Sequence, residues 1–346
     1  MRQVAYTLES LREPLDGVVY RFDGEIRTVQ TKDLLLKSCE GFNSVRDCNP
    51  LELSIECAEL WKELGFKGFP SNPASFFHEL NRKEELVLPF SFNSGLANYI
   101  HGGWSQTLRE GAEFRLLEYY DMRSAYLWGG LSGGLPSRIL PYERGDKNFI
   151  AVIEVPKINR KLPTPLRAYR FIVTNNELDI YGITEFKIIF ALKLANYFNV
   201  EPLIEKIEKL KLPEQAKKLI YQSFWGRWGS TEFLQRETWK NGKLEKITSS
   251  RNRSMNLIWS MIIINRVLSR VWENSQGANL VMIDALLTGL KLKDAGEKIG
   301  DFKVKKSCPE GAYVANSGLW TPFENGKIPK DKASWFKHMG IKPRSD

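Results

Sequence analysis

The amino-acid sequence predicts an α+β fold. Short runs of apolar and β-branched residues with strand character alternate with longer segments in which apolar residues recur at helical spacing. The composition, 42% hydrophobic and 26% charged over 346 residues, is that of a globular chain with enough apolar side chains for one large or two modest cores. No internal repeat divides the chain, so the boundaries of its parts follow from changes in pattern.

The predicted strands and helices alternate along the chain. Strands are expected where apolar and β-branched residues cluster between turn residues, at 17–22, 26–30, 115–120, 149–155, 168–174 and 278–283. Helices are expected at 51–65, 184–197, 202–210, 214–225 and 256–274, and the Asn-Pro-Ala-Ser segment 72–75 predicts a further helix start. The pair Asn241 and Gly242 predicts a hairpin turn, because both residue types tolerate a positive φ.

Neither export nor membrane insertion is predicted. The first residues, MRQVAYTLESLREPLDG, have no apolar core after their charges. The longest apolar stretch, 257–268, is interrupted by Ser260 and Asn265 and is shorter than the roughly 20 residues that span a bilayer. We therefore expect no membrane association and a cytoplasmic location, which for a viral protein is the host cytoplasm.

The cysteines exclude two kinds of small scaffold. No C-x-x-C pair is present, so neither a disulfide framework nor a zinc ribbon is predicted. The even spacing of Cys39, Cys48 and Cys57 leaves a metal site open as an alternative to reduced thiols.

The charge balance favours a polyanionic partner. Lysines and arginines exceed aspartates and glutamates to give a formal net charge of +9. Between Lys217 and Lys240 cations alternate with aromatic residues, a combination that suits phosphates and bases respectively. A half-buried helix followed by a hairpin accounts for the same stretch equally well.

Two aspartates lie in stretches whose apolar character disfavours a charge. Asp121 ends the run LLEYYD, and Asp284 is the single charge in NLVMIDALLTG. A desolvated carboxylate costs several kcal/mol unless it is paired, protonated or bound to a cation. If the two strands are neighbours in one sheet, the carboxylates form an all-oxygen site that suits magnesium or manganese. Alternatively, each aspartate ends a strand and caps the next turn.

The predicted helix 214–225 carries two different faces. One contains an ammonium, an amide and two aromatic rings, from Lys218, Tyr221, Gln222 and Trp225. The other is apolar and predicts core packing. The polar face suits a triphosphate and a base, although a solvated helix face has the same composition.

The order of these features resembles family B DNA polymerases, in particular the protein-primed branch of phages and mobile elements. The family motif D-x-x-S-L-Y-P is matched at Asp121, Ser124 and Tyr126. The motif K-x-x-x-N-S-x-Y-G is matched at Lys218, Ser223 and Gly226. The motif Y-x-D-T-D-S is matched only at its second aspartate, Asp284, since Met282 stands at the place of the first. The segment YIHGGW resembles the Y-x-G-G segment upstream of the first aspartate.

The resemblance implies nucleotidyl transfer supported by two Mg²⁺ ions, or Mn²⁺, held by Asp121, Asp284 and the backbone of Met122. The nucleotide-binding positions that it implies are Met122, Arg123, Ser124, Ala125, Tyr126, Lys218, Gln222 and Trp225. The DNA-binding positions are His101, Gly102, Gly103, Ser223, Gly226, Arg227, Arg266, Lys305, Lys306 and Tyr313. Tyr126 stands at the family's sugar gate, so deoxynucleotides are the expected substrates.

The resemblance also implies a right-hand polymerase with an antiparallel palm sheet, helical fingers and a small thumb. The expected parts are an N-terminal domain (1–98), a first palm part (99–199), the fingers (200–229), a second palm part (230–300) and a thumb-like region (301–346). The region before the palm is too short for a complete proofreading nuclease, although Asp23 and Glu25 resemble a nuclease D-x-E.

Three functions remain open at this stage. The first is a compact DNA polymerase whose partners are template-primer DNA and dNTPs, with a terminal protein, a nuclease or a helicase subunit as further candidates. The second is a primase-like enzyme that starts strands itself. The third is a non-catalytic nucleic-acid-binding subunit that has lost the first aspartate of the third motif.

Overall fold

The computed structural model divides the chain into two compact units. The residues that it describes are 17–20, 26–29, 63, 97–99, 101, 103–209, 217, 221, 233–240, 243–251, 256–315 and 319–338. The first unit comprises 1–87, 133–137 and 198–260, and the second comprises 88–132, 138–197 and 261–346.

Strands and helices are mixed along the chain, which confirms the predicted α+β class. The strands are β1 (Gly17–Tyr20), β2 (Ile26–Val29), β3 (Trp104–Thr107), β4 (Gly111–Glu113), β5 (Leu117–Met122), β6 (Leu135–Pro141), β7 (Phe149–Glu154), β8 (Arg170–Thr174), β9 (Lys187–Phe198), β10 (Phe233–Lys240), β11 (Lys243–Arg251), β12 (Leu280–Ile283), β13 (Ala285–Thr288), β14 (Phe302–Cys308), β15 (Ala312–Val314) and β16 (Trp320–Pro322). The helices are α1 (Ala125–Leu131), α2 (Asn175–Ile180), α3 (Glu201–Lys209), α4 (Leu257–Asn274) and α5 (Lys330–His338), with 3-10 turns at Ala97–Tyr99 and Thr164–Leu166.

The second unit is built on a five-stranded sheet of order β14-β5-β13-β12-β3. Its neighbouring strands all pair antiparallel. Because side chains alternate between the faces of a strand, Tyr120 and Met122 lie on one face of β5, and Leu117, Tyr119 and Asp121 lie on the other. Each face carries its own apolar cluster, so burial on both sides fixes the register that places Asp121.

A four-stranded sheet of order β6-β9-β7-β8 has its strands β7 and β8 wholly in this unit. Its central strand β7 is buried over almost its whole length, as expected for a strand covered on both faces. Helix α2 begins with a capping box, in which the Glu177 side chain accepts from the Thr174 amide at 2.7 Å. The Asn265 amide of α4 donates to the same carboxylate at 2.8 Å and so ties α4 to the start of α2.

The predicted helix 184–197 is wrong, because this segment forms the long strand β9. Strand β9 pairs antiparallel with β7, with Ala191 opposite Ala151 and Leu192 opposite Ile150. Leu192 and Leu194 are buried while Lys193 between them is more exposed, which is the two-residue period of a strand. The alanine and leucine content favours a helix locally, but pairing with the buried strand β7 outweighs that preference.

A small sheet of order β16-β15-β4 carries the C-terminal helix α5. Phe336 of α5 is fully buried against Tyr313 of β15, with ring centroids 5.7 Å apart. The turn before β15 depends on Gly311, which has a φ of +90° and whose absent Cβ would lie 1.7 Å from the Glu113 carbonyl oxygen. No other residue type fits this turn without moving the backbone.

The first unit is described in shorter pieces. Strands β10 and β11 form an antiparallel hairpin that ends at the pair Lys240 and Lys243, which confirms the predicted hairpin. Helix α3 buries Leu203, Ile204 and Ile207, in agreement with the helix predicted at 202–210. Strands β1 and β2 lie where strands were predicted, and they pair with each other antiparallel. The D-x-E segment between them lies outside the described residues.

Two further predicted helices fall mostly outside the described residues. Of the helix 51–65, only Glu63 is described, and it is helical. Of the helix 214–225, Lys217 and Tyr221 are described and helical, and both donate to Glu208 of α3. The helix start at 72–75 lies outside the described part of the chain.

Among the described helices, none combines the length and apolar character that a bilayer crossing requires.

Candidate active site

Asp121 and Asp284 lie next to each other in the central sheet. Strands β12 and β13 form a tight hairpin in which Met282 pairs with Ala285, so Ile283 and Asp284 form the turn. Ala285 lies directly opposite Asp121 on β5. The Met122 amide donates to the Asp284 carbonyl oxygen at 2.9 Å. The hairpin therefore places the second aspartate beside the first, although it occupies a turn and not the interior of a strand as predicted.

The turn before Asp284 has an unusual backbone. Ile283 has a φ of 54°, a conformation that β-branched residues rarely adopt. It pairs with Trp104 at the start of β3. The neighbouring Gly103 leaves room for its side chain, because a Cβ on Gly103 would lie 2.5 Å from Ile283 Cγ2. Strained backbone of this kind persists where surrounding packing holds it in place, and it clusters at functional sites.

The two carboxylates raise the pKa values of the groups around them. Burial, followed by the charge of Asp121, raises the pKa of Asp284 to about 6. Burial, followed by the charge of Asp284, raises the pKa of Tyr126 to about 12. Burial and the charges of both aspartates raise the pKa of Tyr119. Two aspartates and two tyrosines therefore form one electrostatically connected cluster.

Lys305 pairs directly with the first aspartate. Its Nζ lies 3.0 Å from Asp121 Oδ2, with the two side chains 50% and 30% exposed respectively. Strand β14 pairs with β5 through Val304 and Lys306, which are opposite Tyr120 and Tyr119, so Lys305 is the extra residue of a β-bulge. Bulges re-aim side chains near active sites. Here the bulge directs an ammonium group to Asp121.

The segment between Asp121 and α1 makes a sharp turn at Ser124. This residue has φ 47° and ψ 48°, which is left-handed, and it caps α1 without a side-chain hydrogen bond. The amide of Met122 donates to Asp284, and the amide of Arg123 donates to the Asp301 carbonyl oxygen at 2.9 Å. These two amides do not fit the predicted contact with triphosphate oxygens, because they already have partners.

Arg123 is tied to the loop before β14. Its guanidinium forms an ion pair with Glu297, and its carbonyl oxygen accepts from the Gly300 amide at 2.8 Å. The predicted contact of Arg123 with a nucleotide would require the guanidinium to leave Glu297, whose side chain is exposed.

The donor set suits a hard divalent cation. Both acidic groups supply carboxylate oxygens, which are the ligands that magnesium and manganese prefer. The positively charged ammonium of Lys305 already forms an ion pair with Asp121. The two aspartates therefore attract positive charge in this structure. Within the described ranges no group of three or more histidine, cysteine, aspartate or glutamate side chains that could hold a metal ion is present.

Among solved structures, the fold is similar to that of Phi29 DNA polymerase. Its ternary complex with primer-template DNA and incoming nucleotide substrates aligns with a TM-score of 0.53 at 12% identity, covering 91% of this chain and 65% of that chain. Its post-translocation binary complex with primer-template DNA gives 0.51 at 13%, covering 82% and 61%. Its complex with single-stranded DNA gives 0.50 at 12%, covering 81% and 62%.

The similarity to Phi29 DNA polymerase is one of fold. This chain spans less than two thirds of the length of the polymerase chains that it matches. No protein-family model and no curated protein sequence matches the chain. Mixed α+β architecture with antiparallel sheets is therefore shared with a DNA polymerase, at a sequence identity too low to carry residue roles.

Several predicted DNA-binding side chains have other roles in the described structure. Tyr313 is 3% exposed and packs on Phe336, so its burial does not fit a contact with DNA. The Arg266 guanidinium donates to the Gly129 carbonyl oxygen at 2.8 Å, and burial lowers its pKa. This contact joins α4 to α1, so the residue stabilises the helix that follows Asp121.

The remaining predicted positions divide into two groups. In the first group, which the structure describes, His101 is partly buried. Lys306 is exposed, and its ammonium lies 5.9 Å from the centroid of the Trp320 ring. Ala125 is buried and Ser124 exposed at the start of α1. Outside the described residues lie Gly102, Lys218, Gln222, Ser223, Trp225, Gly226 and Arg227.

Sequence reasoning did not predict Tyr119 or Ile283 at this site, and it predicted Lys305 for a different contact. Tyr119 lies two residues before Asp121, and this spacing puts both side chains on one face of a strand. The spacing alone was therefore enough to predict that Tyr119 lies near Asp121. No local sequence pattern predicts the role of Ile283, because its positive φ depends on the β12–β13 hairpin. Lys305 was predicted to bind DNA, and no sequence pattern indicated its ion pair with Asp121.

Proposed function

We propose that this protein is a template-directed DNA polymerase with a reduced right-hand core, which transfers deoxynucleotides to a primer end. The observation that carries the proposal is the position of Asp284 in the β12–β13 turn, directly before the residue that pairs with Asp121 of β5, in a chain whose fold is similar to that of Phi29 DNA polymerase. A basic chain with a net charge of +9 supports a nucleic-acid partner.

The aspartates would hold a divalent cation at the end of β5. When bound, magnesium would neutralise charge on the triphosphate and favour ionisation of the primer hydroxyl. Asp121 and Asp284 then act as oxygen ligands fixed by the β5–β13 register. The left-handed turn at Ser124 lies between Asp121 and α1, and the nucleotide-binding positions from Ser124 to Tyr126 would orient the nucleotide at this end of β5.

Tyr126 would select the sugar of the incoming nucleotide. It is half-buried at the start of α1, and Asp284 contributes to its raised pKa, so its ring lies near the aspartate pair. A ring in that position leaves little room for a ribose 2′-hydroxyl, and this supports a preference for deoxynucleotides.

The domain assignment is part of the proposal. We assign palm to 99–199 and 230–300, fingers to 200–229, a thumb-like region to 301–346 and a small N-terminal domain to 1–98. The partners would be template-primer DNA and dNTPs. Whether a terminal protein, a nuclease or a helicase also binds is a separate question for pull-down with the replication proteins of the host element.

Primer extension tests the proposal. Purified protein should extend a labelled primer on a DNA template with magnesium, and Asp121→Asn and Asp284→Asn should each lower the rate about 10³-fold, since metal ligands contribute several kcal/mol to such reactions. Asp179→Asn is the matched control, because Asp179 is exposed on α2. Extension that persists unchanged in both aspartate variants would contradict the proposal. Extension without any primer would indicate a primase-like enzyme.

A second candidate is a non-catalytic nucleic-acid-binding subunit. It is favoured by Met282, which stands where the resembled motif has its first aspartate, and by the ion pair that already neutralises Asp121. This function predicts DNA binding by the wild type with no extension under magnesium or manganese. It also predicts that the two aspartate variants bind DNA as the wild type does.

A further inference from the structure

We propose that Lys305 occupies one cation position of the aspartate pair, so that Asp121 and Asp284 bind a single divalent ion and not two. This inference rests on the metal site of the proposed function and deepens it. It concerns the stoichiometry of the site and the residue that determines it.

The geometry of β14 provides the first argument. Lys303 lies opposite Asp121 and Lys306 opposite Tyr119, so both belong to the face of β5 that carries the aspartate. In a regular strand Lys305 would point to the other face from Lys306, because neighbouring side chains alternate. The bulge brings Lys305 onto the aspartate face, and its Nζ reaches Asp121 Oδ2 at 3.0 Å. An ion pair that requires a bulge is a built feature of the strand.

The charge balance provides the second argument. The pair contributes two negative charges, and Lys305 compensates one of them. Its charge also acts on Asp284, whose pKa it lowers against the larger effect of burial. One negative charge then remains for a bound ion, so a single divalent ion already exceeds it, and a second ion would add two further uncompensated positive charges. A second divalent ion on Asp121 Oδ2 would replace or repel the ammonium, and like charges a few ångströms apart disfavour each other.

The donor count agrees with this arrangement. In the described ranges no third acidic side chain joins the pair, and Met282 pairs with Ala285 at the turn, where it offers only a thioether. Hard cations require several oxygen ligands each. Asp121 is already paired with Lys305. The two aspartates therefore supply enough protein oxygens for one ion.

Manganese binding tests the inference directly. The full chain is titrated with Mn²⁺ in the absence of DNA and nucleotide, and the free ion is followed by its EPR signal. The wild type should bind a single ion per chain, and Asp284→Asn should lose it. Lys305→Met should lower the Kd about tenfold, equivalent to about 1.4 kcal/mol. Lys305→Arg keeps the charge and should bind as the wild type does.

Lys303→Met is the matched control, because it removes the same charge from the same face of the same strand. It should change the Kd less than about threefold, since Lys303 is exposed and, among the described residues, the ion pair of Asp121 is with Lys305. Equal tightening by Lys303→Met and Lys305→Met would overturn the inference, as would an unchanged Kd in Lys305→Met. Two ions bound to the wild type would overturn it independently of how any variant folds. A single bound ion without primer extension would reject the polymerase and leave this inference standing.

Discussion

The missing Cβ of Gly103 would lie 2.5 Å from Cγ2 of Ile283. Ile283 is held at a φ of 54° in the turn that presents Asp284. Two residues about 180 positions apart in sequence therefore determine together where the second aspartate lies. Glycine at 103 is required by the side chain opposite it and not by its own φ.

Gly103→Ala should destabilise the protein and displace Asp284. Overpacking of this kind costs about 1–3 kcal/mol, because the neighbouring side chain or backbone must move. The change is measured as a shift of the urea midpoint, and the rate of primer extension should fall with it. Because the clash is with one side chain, the effect should depend on that side chain.

Ile283→Gly provides the control for this contact. Glycine adopts the positive φ without strain, and the isoleucine is 42% exposed, so little burial is lost and the variant should lie within about 1 kcal/mol of the wild type. In the Ile283→Gly background, Gly103→Ala should lower the free energy of unfolding by at least about 1 kcal/mol less than it does in the wild type. Additive effects would show that the two residues are not coupled.

Asp284 should make the stability of the metal-free protein depend on pH. Its pKa is about 6 in the folded state and 3.8 when unperturbed, so the folded state binds more protons between these values. Stability should therefore fall as pH rises from about 4 to about 6 and level off above. Asp284→Asn removes this slope and should be about 1–2 kcal/mol more stable than the wild type at pH 7 in EDTA, after allowance for solvent screening. Unfolding in urea at several pH values measures both effects.

Magnesium should reverse this difference. The ion binds the deprotonated carboxylate, so its affinity should rise as pH increases through about 6. With magnesium present, the wild type should gain stability at pH 7 and Asp284→Asn should gain little. An aspartate variant that is less stable than the wild type in EDTA would contradict the assignment of a desolvated carboxylate.

Tyr126→Ala should relax the choice of sugar. If the ring excludes a ribose 2′-hydroxyl, its removal should raise ribonucleotide incorporation relative to deoxynucleotides by about 100-fold, which is the range that a single steric contact provides. Tyr126→Phe keeps the ring and should keep the selectivity. The comparison is made by primer extension with each nucleotide type. A wild type that uses both sugars equally would exclude a gate at this position.

Glu177 should be important for stability outside the candidate site. It is 2% exposed and accepts from the Thr174 amide and the Asn265 side chain. Glu177→Ala removes the acceptor of the Thr174 amide and leaves the Asn265 side chain with only its longer contact, 3.4 Å to the Ile172 carbonyl oxygen, so it should cost about 2–4 kcal/mol in urea unfolding. Glu177→Gln keeps an oxygen acceptor and should be close to the wild type.

For Glu177→Gln the pH dependence is the sharper measurement. Burial raises the pKa of Glu177 to about 7, so the wild type should lose stability as pH rises from about 4.5 to about 7. The glutamine variant should lack this loss. Equal pH profiles for the two proteins would show that Glu177 is not desolvated as the structure indicates.

Much of the fold could be predicted from local pattern. The strands at 17–20, 149–154 and 170–174, the hairpin that ends at Lys240 and Lys243, and helix α4 all follow from apolar spacing and turn residues. Strand β9 could not, because its composition favours a helix and only pairing with β7 decides otherwise. The burial of Tyr313 could not be predicted either, since it depends on packing against Phe336 of α5, which follows later in the chain.

The sequence by itself determined that two carboxylates lie in apolar surroundings and require a compensating partner, because the cost of desolvating a charge follows from its neighbours in the chain. Only the tertiary structure decided what that partner is. The register of β5 and β13 brings Asp121 and Asp284 together, and the bulge in β14 delivers Lys305 to them. Register and bulges depend on how strands distant in sequence pair, and a local pattern of residues does not contain that information.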